Sequence, residues 1–338
     1  MSAENYVIVD HQELMRFAKS ALMAAGTSAE GATEMAGQII ESDLAGHESH
    51  GVRRLGEYVG RAQSGLAKPN AKAKIDIDHG SVVRIDGQEG FGHIIVRQAT
   101  DLLIERTKKY GIATVAIRNC DFAGRFSHFG EQAAASGIAA LFFVNDSGSA
   151  KDVAPPGGTE ARLATNPFGA GIPRAGGPDI VVDMATSTLA MGRLSDAKER
   201  NIKIENDWLT KSGHITTSGG VKGFALAVVA EALAGSLTSA GSVGYEVPEQ
   251  RQGVLAIGID IEKLRPLDDF AADVNKFASY LSETPVEPGA NQVMMPGEGS
   301  VKRMAHRKAN GIPLHPFIWD KLQKLANDLN IEPPVAKK

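Results

Sequence analysis

Val82-Val83-Arg84-Ile85-Asp86-Gly87-Gln88-Glu89-Gly90-Phe91-Gly92 is the stretch that decides the fold class of this chain. It has the pattern of a β-strand, a glycine-rich turn and the start of a helix, which is the layout of a Rossmann phosphate-binding turn. The glycines, however, follow the order G-x-x-G-x-G, and Phe91 stands where the backbone would approach a pyrophosphate. We therefore predict a simple turn, and we expect any dinucleotide to be held by a different fold.

Short β-rich runs alternate with helical patterns on both sides of this turn. The runs cover residues 82–85, 113–117, 139–144, 180–182 and 254–259, and the helical patterns include residues 94–109 and 224–237. Such alternation predicts a mixed α/β fold in which helices cover a sheet.

Both ends of the chain have a helical pattern instead. Asp10 can cap a first helix, Thr27-Ser28-Ala29-Glu30 has capping-box spacing, and Gly46 is a plausible helix stop. The tail carries apolar residues at helical spacing over residues 316–329. We predict a helical domain made of residues 1–72 with 300–338, and an αβ domain over residues 73–299.

Composition excludes several classes of protein. With 338 residues and 43% apolar content the chain can bury a large core, and its formal net charge of −4 gives no reason to expect a nucleic-acid or membrane partner. The single cysteine, Cys120, excludes an internal disulfide. The chain begins without a secretory pattern, and its longest apolar stretch is too short to span a bilayer. We expect a cytoplasmic protein.

A polar segment, residues 46–54, interrupts the first helical region and carries His47, Ser49, His50, Arg53 and Arg54. His47 and His50 are three residues apart, but the flanking glycines and the lack of a third ligand at a recognisable spacing argue against a metal site. Because side chains of sequence neighbours usually point apart, we expect His50 to be badly placed to activate Ser49 for hydrolysis. His50 is then the residue that gives or takes a proton itself.

A second polar segment follows the apolar run at residues 180–182. Asp183 comes directly after this run and precedes Met184-Ala185-Thr186-Ser187-Thr188, which resembles the start of a helix. Asp183 is either a cap of that helix or a carboxylate that orients His50, and one residue can serve both purposes.

Five segments together resemble the malate/L-lactate dehydrogenase type 2 family, and the similarity runs from about residue 8 to 330. They are residues 46–55, Thr165-Asn166-Pro167, residues 182–187, Lys222-Gly223-Phe224-Ala225-Leu226 and Met295-Pro296-Gly297-Glu298. The resemblance implies the non-Rossmann fold of L-sulfolactate dehydrogenase. It also implies NAD or NADP as the cofactor, a small carboxylate substrate and a homodimer.

The resemblance also implies a role for each matching residue. His50 is the catalytic residue, with Ser49 and Asp183 beside it. Arg54 faces the substrate carboxylate, and Thr165 and Asn166 line the substrate pocket. The cofactor segments comprise Val182, Met184, Ala185, Thr186, Ser187, Thr188, Lys222, Gly223, Gly297 and Glu298. Arg303 follows closely behind and is a candidate for the cofactor phosphates, although a solvated helix face is the simpler interpretation. No metal is expected.

Elementary chemistry agrees with these roles. Reduction of a 2-keto acid needs a hydride on carbon and a proton on oxygen, so we expect a histidine whose pKa lies near neutrality. A carboxylate such as Asp183, bonded to the far ring nitrogen, would fix the tautomer of His50. The planar guanidinium of Arg54 suits a carboxylate. A cyclic imino acid needs the same hydride and proton, so reduction of C=N stays open as an alternative.

The chain departs from the family at several positions. Phe122 stands where many relatives carry a histidine, Val221 replaces a second histidine, and the stretch from Arg193 to Lys222 is shorter than usual. These changes leave a non-catalytic binding protein on the same fold as a further alternative. His128 could replace the missing imidazole, although a helix-start or surface role is simpler. We expect His93, His214 and His315 to be surface or satisfied core groups.

Overall fold

Helices and strands follow the two apolar periodicities of the chain, which bring every third or fourth residue of a helix and every second residue of a strand to the core. The computed structural model describes residues 6–148, 151–199, 202–204, 206–245 and 251–337. In chain order the elements are β1 (Val7–Val9), α1 (His11–Ala24), α2 (Ala29–Ala45), α3 (Leu55–Gln63), β2 (Lys74–Asp78), β3 (Val82–Asp86), α4 (Gly92–Tyr110), β4 (Ile112–Cys120), α5 (Ser127–Ala135), β5 (Ile138–Asp146), β6 (Phe168–Ile172), β7 (Ile180–Met184), α6 (Met191–Glu199), α7 (Val221–Ala230), β8 (Gln252–Asp260), α8 (Leu267–Ser282), α9 (Glu298–Asn310), β9 (Ile312–Leu314) and α10 (Pro316–Leu329).

A seven-stranded mixed sheet lies at the centre, in the order β2-β3-β4-β8-β5-β6-β7. Only β3 and β4 pair in parallel, and the other neighbours are antiparallel. Buried side chains of α4 and α5, among them Leu103 and Phe129, join one core with the sheet. The prediction of a sheet covered by helices is confirmed. The antiparallel pairing also separates this sheet from the parallel sheet of a Rossmann fold.

The two chain ends form a second core. β1 pairs with β9, which places Val7 opposite Leu314, and Phe17, Leu22, Ile318 and Leu322 pack in one buried cluster. Asp10 caps α1 as predicted, because its carboxylate accepts a hydrogen bond from the Gln12 N–H. The capping box at Thr27 was predicted one residue too early. Ser28 is the N-cap of α2, and its hydroxyl accepts from the Gly31 N–H at 3.2 Å.

The glycine-rich stretch after β3 is a turn, as predicted. Gln88 and Glu89 both have positive φ, and Phe91 is buried at the start of α4. A Cβ at Gly92 would lie 2.2 Å from the Asp121 carbonyl oxygen. Gly92 therefore lets α4 pack directly on the loop after β4, which is a requirement of packing rather than of phosphate binding.

Some predicted features fall outside the described residues. Residues 200, 201 and 205 are part of the stretch from Arg193 to Lys222 that we predicted to be short, and Met1–Asn5 belong to the predicted helical domain. Within the described ranges, no helix is both long enough and apolar enough to cross a membrane.

Candidate active site

The polar segment contains a glycine, Gly51, at a position where the buried carboxyl group of Asp43 leaves no room for a side chain. Helix α2 ends at Gly46 with a left-handed φ of 83°, and two short 3-10 turns follow, Glu48–His50 and Val52–Arg54. Between them, a Cβ at Gly51 would lie 1.9 Å from the Asp43 carboxyl. That carboxyl accepts a hydrogen bond of 2.8 Å from the Val52 N–H, and burial raises the pKa of Asp43 to about 8. Asp43 thus fixes the start of the second turn.

Ser49 and His50 are bonded to each other. The Ser49 hydroxyl lies 2.9 Å from His50 Nδ1, so the expectation that the two side chains point apart was wrong. Both residues lie in the tight 3-10 turn Glu48–His50, where the short serine side chain reaches the ring of the residue that follows it. The expected pKa near neutrality was also wrong. Burial outweighs the attraction of Asp183 and lowers the pKa of His50 to about 4, so the ring is neutral at pH 7.

Asp183 lies inside β7 and does not cap a helix of its own, because the next helix, α6, begins only at Met191. Its Oδ2 instead accepts hydrogen bonds from the backbone N–H and the hydroxyl of Ser127, at 2.9 and 3.0 Å. The carboxylate therefore meets the first residue of α5. It acts on His50 through its charge, which raises the pKa of the ring, while the hydrogen bond to the ring comes from Ser49.

Two further residues of this cluster were not singled out from the sequence as active-site groups. Burial lowers the pKa of His47, and the charge of Asp183 opposes this shift. Arg125 is buried, pairs with Glu131 at 3.2 Å and Glu41 at 3.5 Å, and lowers the pKa of His50 through its charge. Asp183 thus faces two imidazoles rather than one. Nothing in the spacing of the sequence connects Arg125 with His50, and its burial is visible only in the structure.

Arg54 lies against the ring of Phe122, with its guanidinium carbon 3.8 Å from the ring centroid. Its Nη2 donates to Glu57 at 2.6 Å, and its Nε is buried without a hydrogen-bond partner in the described part of the chain. An unsatisfied buried donor is costly, so this nitrogen is suited to a ligand carboxylate. Ser49 and Arg54 also line a cavity of about 620 Å³ between the polar segment, α6 and α10.

The predicted pocket residues Thr165 and Asn166 are held by their neighbours. The Thr165 carbonyl accepts from both the N–H and the hydroxyl of Thr186, each at 2.9 Å. Asn166 has a positive φ of 35° and is fully buried. Its amide nitrogen donates to Glu231 at 2.7 Å and to the Ala227 carbonyl at 3.1 Å, so this side chain fixes the loop from inside.

Two predicted cofactor segments lie together. Ser187 forms an antiparallel β-bridge with Thr217. A Cβ at Gly223 would lie 2.6 Å from the Thr186 carbonyl oxygen. Gly223 therefore lets the start of α7 lie against the segment after β7. The hydroxyls there bond to the protein, Thr186 to Thr165, Ser187 to Leu189 and Thr188 to Trp208 and Thr216. Val182 and Ala185 are half-buried beside them, and Met184 and Lys222 are exposed.

The remaining predicted cofactor residues make structural contacts. Gly297 has a φ of 98° and packs on β7, where the Val181 N–H donates to the Pro296 carbonyl at 3.1 Å. Glu298 pairs with the nearly buried Arg174 at 2.7 Å. Arg303 donates to the Ala45 carbonyl at 2.8 Å and packs against Gly46, which places it at the end of α2. This guanidinium is therefore already used to hold the polar segment.

A family model described as malate/L-lactate dehydrogenase matches residues 9–323. The chain belongs to the malate/L-lactate dehydrogenase family. It is 34% identical to an L-lactate dehydrogenase of Cupriavidus necator, over 95% of this chain and 97% of the relative. Among solved structures it resembles the malate dehydrogenase of Pyrococcus horikoshii OT3, with a TM-score of 0.89, 28% identity and coverage of 98% and 97%. It also resembles the delta1-piperideine-2-carboxylate reductase of Pseudomonas syringae pvar. tomato, with a TM-score of 0.81, 28% identity and coverage of 94% and 99%. The predicted family and fold are confirmed.

Three other histidines that the sequence singled out, His128, His93 and His315, each have a place in the fold of this dehydrogenase-family chain. His128 is the second residue of α5 and bonds through Nδ1 to Glu41 at 2.7 Å. His93 is buried, its Nδ1 has no partner in the described ranges, and burial lowers its pKa to about 3, so it is a core residue but not a fully satisfied one. His315 caps α10 by accepting from the Phe317 N–H. No group of three or more potential metal ligands occurs among the described residues.

The arrangement fits a nicotinamide dinucleotide. Helix α7 begins at Val221 after Gly220, without a capping side chain and without an acidic residue in its first turn. Exposed Lys222 lies in that turn. Backbone N–H groups at the start of a helix and an adjacent lysine are the donors that phosphates require. Val221, the first residue of this helix, is 69% exposed.

Proposed function

We propose that the chain is an NAD(P)-dependent oxidoreductase that interconverts a small 2-hydroxy acid and the 2-keto acid, with His50 as the proton donor and acceptor. The observation that carries this proposal is the contact of His50 and Arg54 with one aromatic ring, that of Phe122, at centroid distances of 5.6 and 3.8 Å. A proton-transfer group and a carboxylate-binding group are thus close enough for one small molecule to touch both.

His50 accepts the proton of the substrate hydroxyl in the direction of oxidation. The free chain has a neutral ring at pH 7, which is the form that a base requires. For Nε2 to be the accepting atom, Nδ1 must carry a hydrogen and donate it to the Ser49 oxygen 2.9 Å away. Ser49 then selects the tautomer, and the nearby charge of Asp183 stabilises the imidazolium that forms.

Arg54 binds the substrate carboxylate. Its guanidinium is oriented on one side by Phe122 and on one edge by Glu57, and it keeps a buried Nε without a partner among the described residues. A carboxylate at this edge forms charge-assisted hydrogen bonds and places the adjacent carbon atom near His50.

The cofactor, when bound, supplies or accepts the hydride at the substrate carbon. Lys222 and the first turn of α7 hold its phosphates in this proposal. The segment at residues 182–188 forms the wall beside it, and Gly297 and Glu298 support that wall from the other edge of β7. The loop at residues 165–166 belongs to the substrate pocket, and buried Asn166 holds it in place. The contact of Arg303 with Ala45 favours a supporting role for Arg303 over direct phosphate binding.

A cyclic imino acid is the second candidate substrate, because the similar reductase of Pseudomonas syringae is named for delta1-piperideine-2-carboxylate. Such a substrate carries the same carboxylate for Arg54, and its C=N bond needs the same hydride and a proton. The two candidate substrates differ in the reacting atom, an oxygen or a nitrogen, so turnover assays with both kinds of substrate distinguish them.

Turnover assays test the proposal directly. NAD, NADP and their reduced forms are offered with a panel of 2-hydroxy acids, 2-keto acids and cyclic imino acids. We expect cofactor-dependent turnover of at least one hydroxy/keto acid pair. Turnover of imino acids alone would select the second candidate. Absence of both turnover and calorimetric binding of either cofactor would support a non-catalytic protein.

We also propose the predicted organisation of the chain, a helical domain of residues 1–72 with 300–338 and an αβ domain of residues 73–299, acting as a homodimer. The shared core of the two chain ends supports the division. Exposed apolar residues on α7 and after it, Val228, Val229 and Leu237, support a second copy as their cover. Sedimentation at micromolar concentration measures the oligomeric state.

A further inference from the structure

The ring of Phe122 connects the two functional side chains of the proposed site. The His50 ring stacks on it at a centroid distance of 5.6 Å and an interplanar angle of 27°, and the Arg54 guanidinium covers it at 3.8 Å. Tyr58 lies behind, with its ring centroid 6.4 Å from that of Phe122. A molecule that contacts both His50 and Arg54 therefore lies beside an aromatic hydrocarbon ring.

The space that Phe122 and Arg54 share is small. It is a cavity of about 60 Å³, and its lining also includes Glu57, Arg61, Asp121, Asp146, Arg251 and Gln252. A water molecule occupies about 30 Å³ in the liquid, so a cavity of this size accepts a group of only a few heavy atoms. Long or branched groups do not fit in this cavity.

The charges of this lining are balanced before any ligand binds. Its three guanidiniums, Arg54, Arg61 and Arg251, face as many carboxylates. Arg61 is engaged by Asp121 through two contacts, at 2.8 and 2.9 Å, and Arg251 donates to the Leu66 carbonyl at 2.8 Å. When the first carboxylate of a substrate binds Arg54, the lining acquires an excess of negative charge.

We infer that Phe122 is a specificity-determining residue, and that the substrate is a 2-hydroxy monocarboxylic acid with a small uncharged substituent rather than a dicarboxylic acid. This inference rests on the proposed function and names its substrate class. A methyl or ethyl substituent gains from contact with the ring. A second carboxylate would be desolvated beside the ring and repelled by Glu57 and Asp146.

The test compares 2-hydroxybutyrate with malate. The two substrates differ in one group, because malate carries a carboxylate where 2-hydroxybutyrate carries its terminal methyl. Initial rates with the preferred cofactor give kcat/KM for each. We expect the full-length wild-type protein to prefer 2-hydroxybutyrate by at least ~10-fold, since one apolar group against a fitted pocket discriminates by roughly 10- to 200-fold.

Two variants separate specificity from folding. Phe122→His introduces a hydrogen-bond donor and an acceptor in a planar ring, and we expect the preference to fall by ~10-fold or more, mainly through a lower KM for malate. Phe122→Leu keeps an apolar wall and is the matched control, so it should retain the preference while the KM for both substrates rises with the loss of the contact with Arg54. Thermal unfolding confirms that both variants fold.

Particular results would overturn the inference. A wild-type protein that turns over malate as well as 2-hydroxybutyrate refutes the substrate class. A folded Phe122→His variant with an unchanged ratio refutes the role of Phe122. If no compound is turned over, the proposed function fails instead, and calorimetric binding of the same two acids still decides the inference. Tighter binding of 2-hydroxybutyrate supports it, and equal binding contradicts it.

Discussion

Glu231 supports the predicted pocket loop, although nothing in the sequence distinguished it from a charge that interrupts an apolar helix. It is the first residue of a π-helical segment, Glu231–Leu237, and lies at the end of α7. Its carboxylate accepts from Asn166 at 2.7 Å, from the Val243 N–H at 2.7 Å and from Asn145 at 3.0 Å. We predict that Glu231→Gln weakens both the fold and the proposed catalysis.

The contacts give the size of the effect. Oε1 accepts the bonds from Asn145 and Val243, and a glutamine oxygen can keep both. The glutamine nitrogen then faces the Asn166 nitrogen across 2.7 Å, two donors without an acceptor. Loss of one charge-assisted hydrogen bond costs about 1.5–3 kcal/mol. A shift of the pocket loop by a few tenths of an ångström to 1 Å lowers kcat/KM by roughly 10- to 100-fold.

A variant with donor and acceptor exchanged tests the hydrogen bond between Asn166 and Glu231. Asn166→Asp alone brings two carboxylates together, whereas Asn166→Asp combined with Glu231→Gln restores one donor and one acceptor. We expect a favourable coupling free energy of about 1–3 kcal/mol in urea unfolding of the four proteins, and a parallel partial recovery of kcat. Additive losses, or a Glu231→Gln variant as stable and active as the wild type, would refute the reasoning.

Three further predictions follow from the polar segment. The pKa of Asp43 is raised to about 8 in the folded protein, so the free energy of unfolding of the wild type falls as the pH rises from 3.8 to 8. The Asp43→Asn variant lacks this dependence, and its free energy of unfolding, measured in denaturant, should rise relative to the wild type by ~1 kcal/mol per pH unit in that range. A stability difference between the two proteins that does not change with pH would contradict this prediction. Gly51→Ala should lower stability by about 2–5 kcal/mol, because its Cβ displaces the Asp43 carboxyl, and an unchanged Tm would count against this. Since the pKa of His50 is about 4, kcat/KM for hydroxy-acid oxidation should show no inflection near pH 6.5. A clear inflection there would show that His50 is more hydrated than the structure implies.

Elements with a strong local signal were predictable from the sequence. The tail helix was predicted at residues 316–329, where α10 lies, and the predicted helix start at Asp10 and helix stop at Gly46 agree with the observed caps. β6 was missed because its sequence, Phe168-Gly169-Ala170-Gly171-Ile172, has the composition of a loop. Its glycines are required instead by α5, since a Cβ at Gly171 would lie 2.0 Å from the Gly130 carbonyl oxygen.

The site was predictable only in part, for a physical reason. His50, Ser49 and Arg54 lie within one short segment, and the contacts of Ser49 with His50 and of Arg54 with Glu57 are local. Other groups that set their chemistry, such as Phe122 and Asp183, come from distant parts of the chain. Asp183 bonds to Ser127, 56 residues away, and Asn166 bonds to Glu231, 65 residues away. Neither local spacing nor a helix signal encodes such pairs. Burial also moved the pKa of His50 below the value that its residue type alone suggests.

The role of His50 as the proton-transfer group is the central claim, and one comparison tests it most directly. The kcat of the wild-type protein is measured with its best hydroxy acid and cofactor beside that of His50→Ala, with cofactor affinity measured by calorimetry on both. We predict a loss of about 10²- to 10⁴-fold in kcat with an unchanged cofactor Kd. A His50→Ala protein whose kcat stays within about threefold of the wild type would contradict the account.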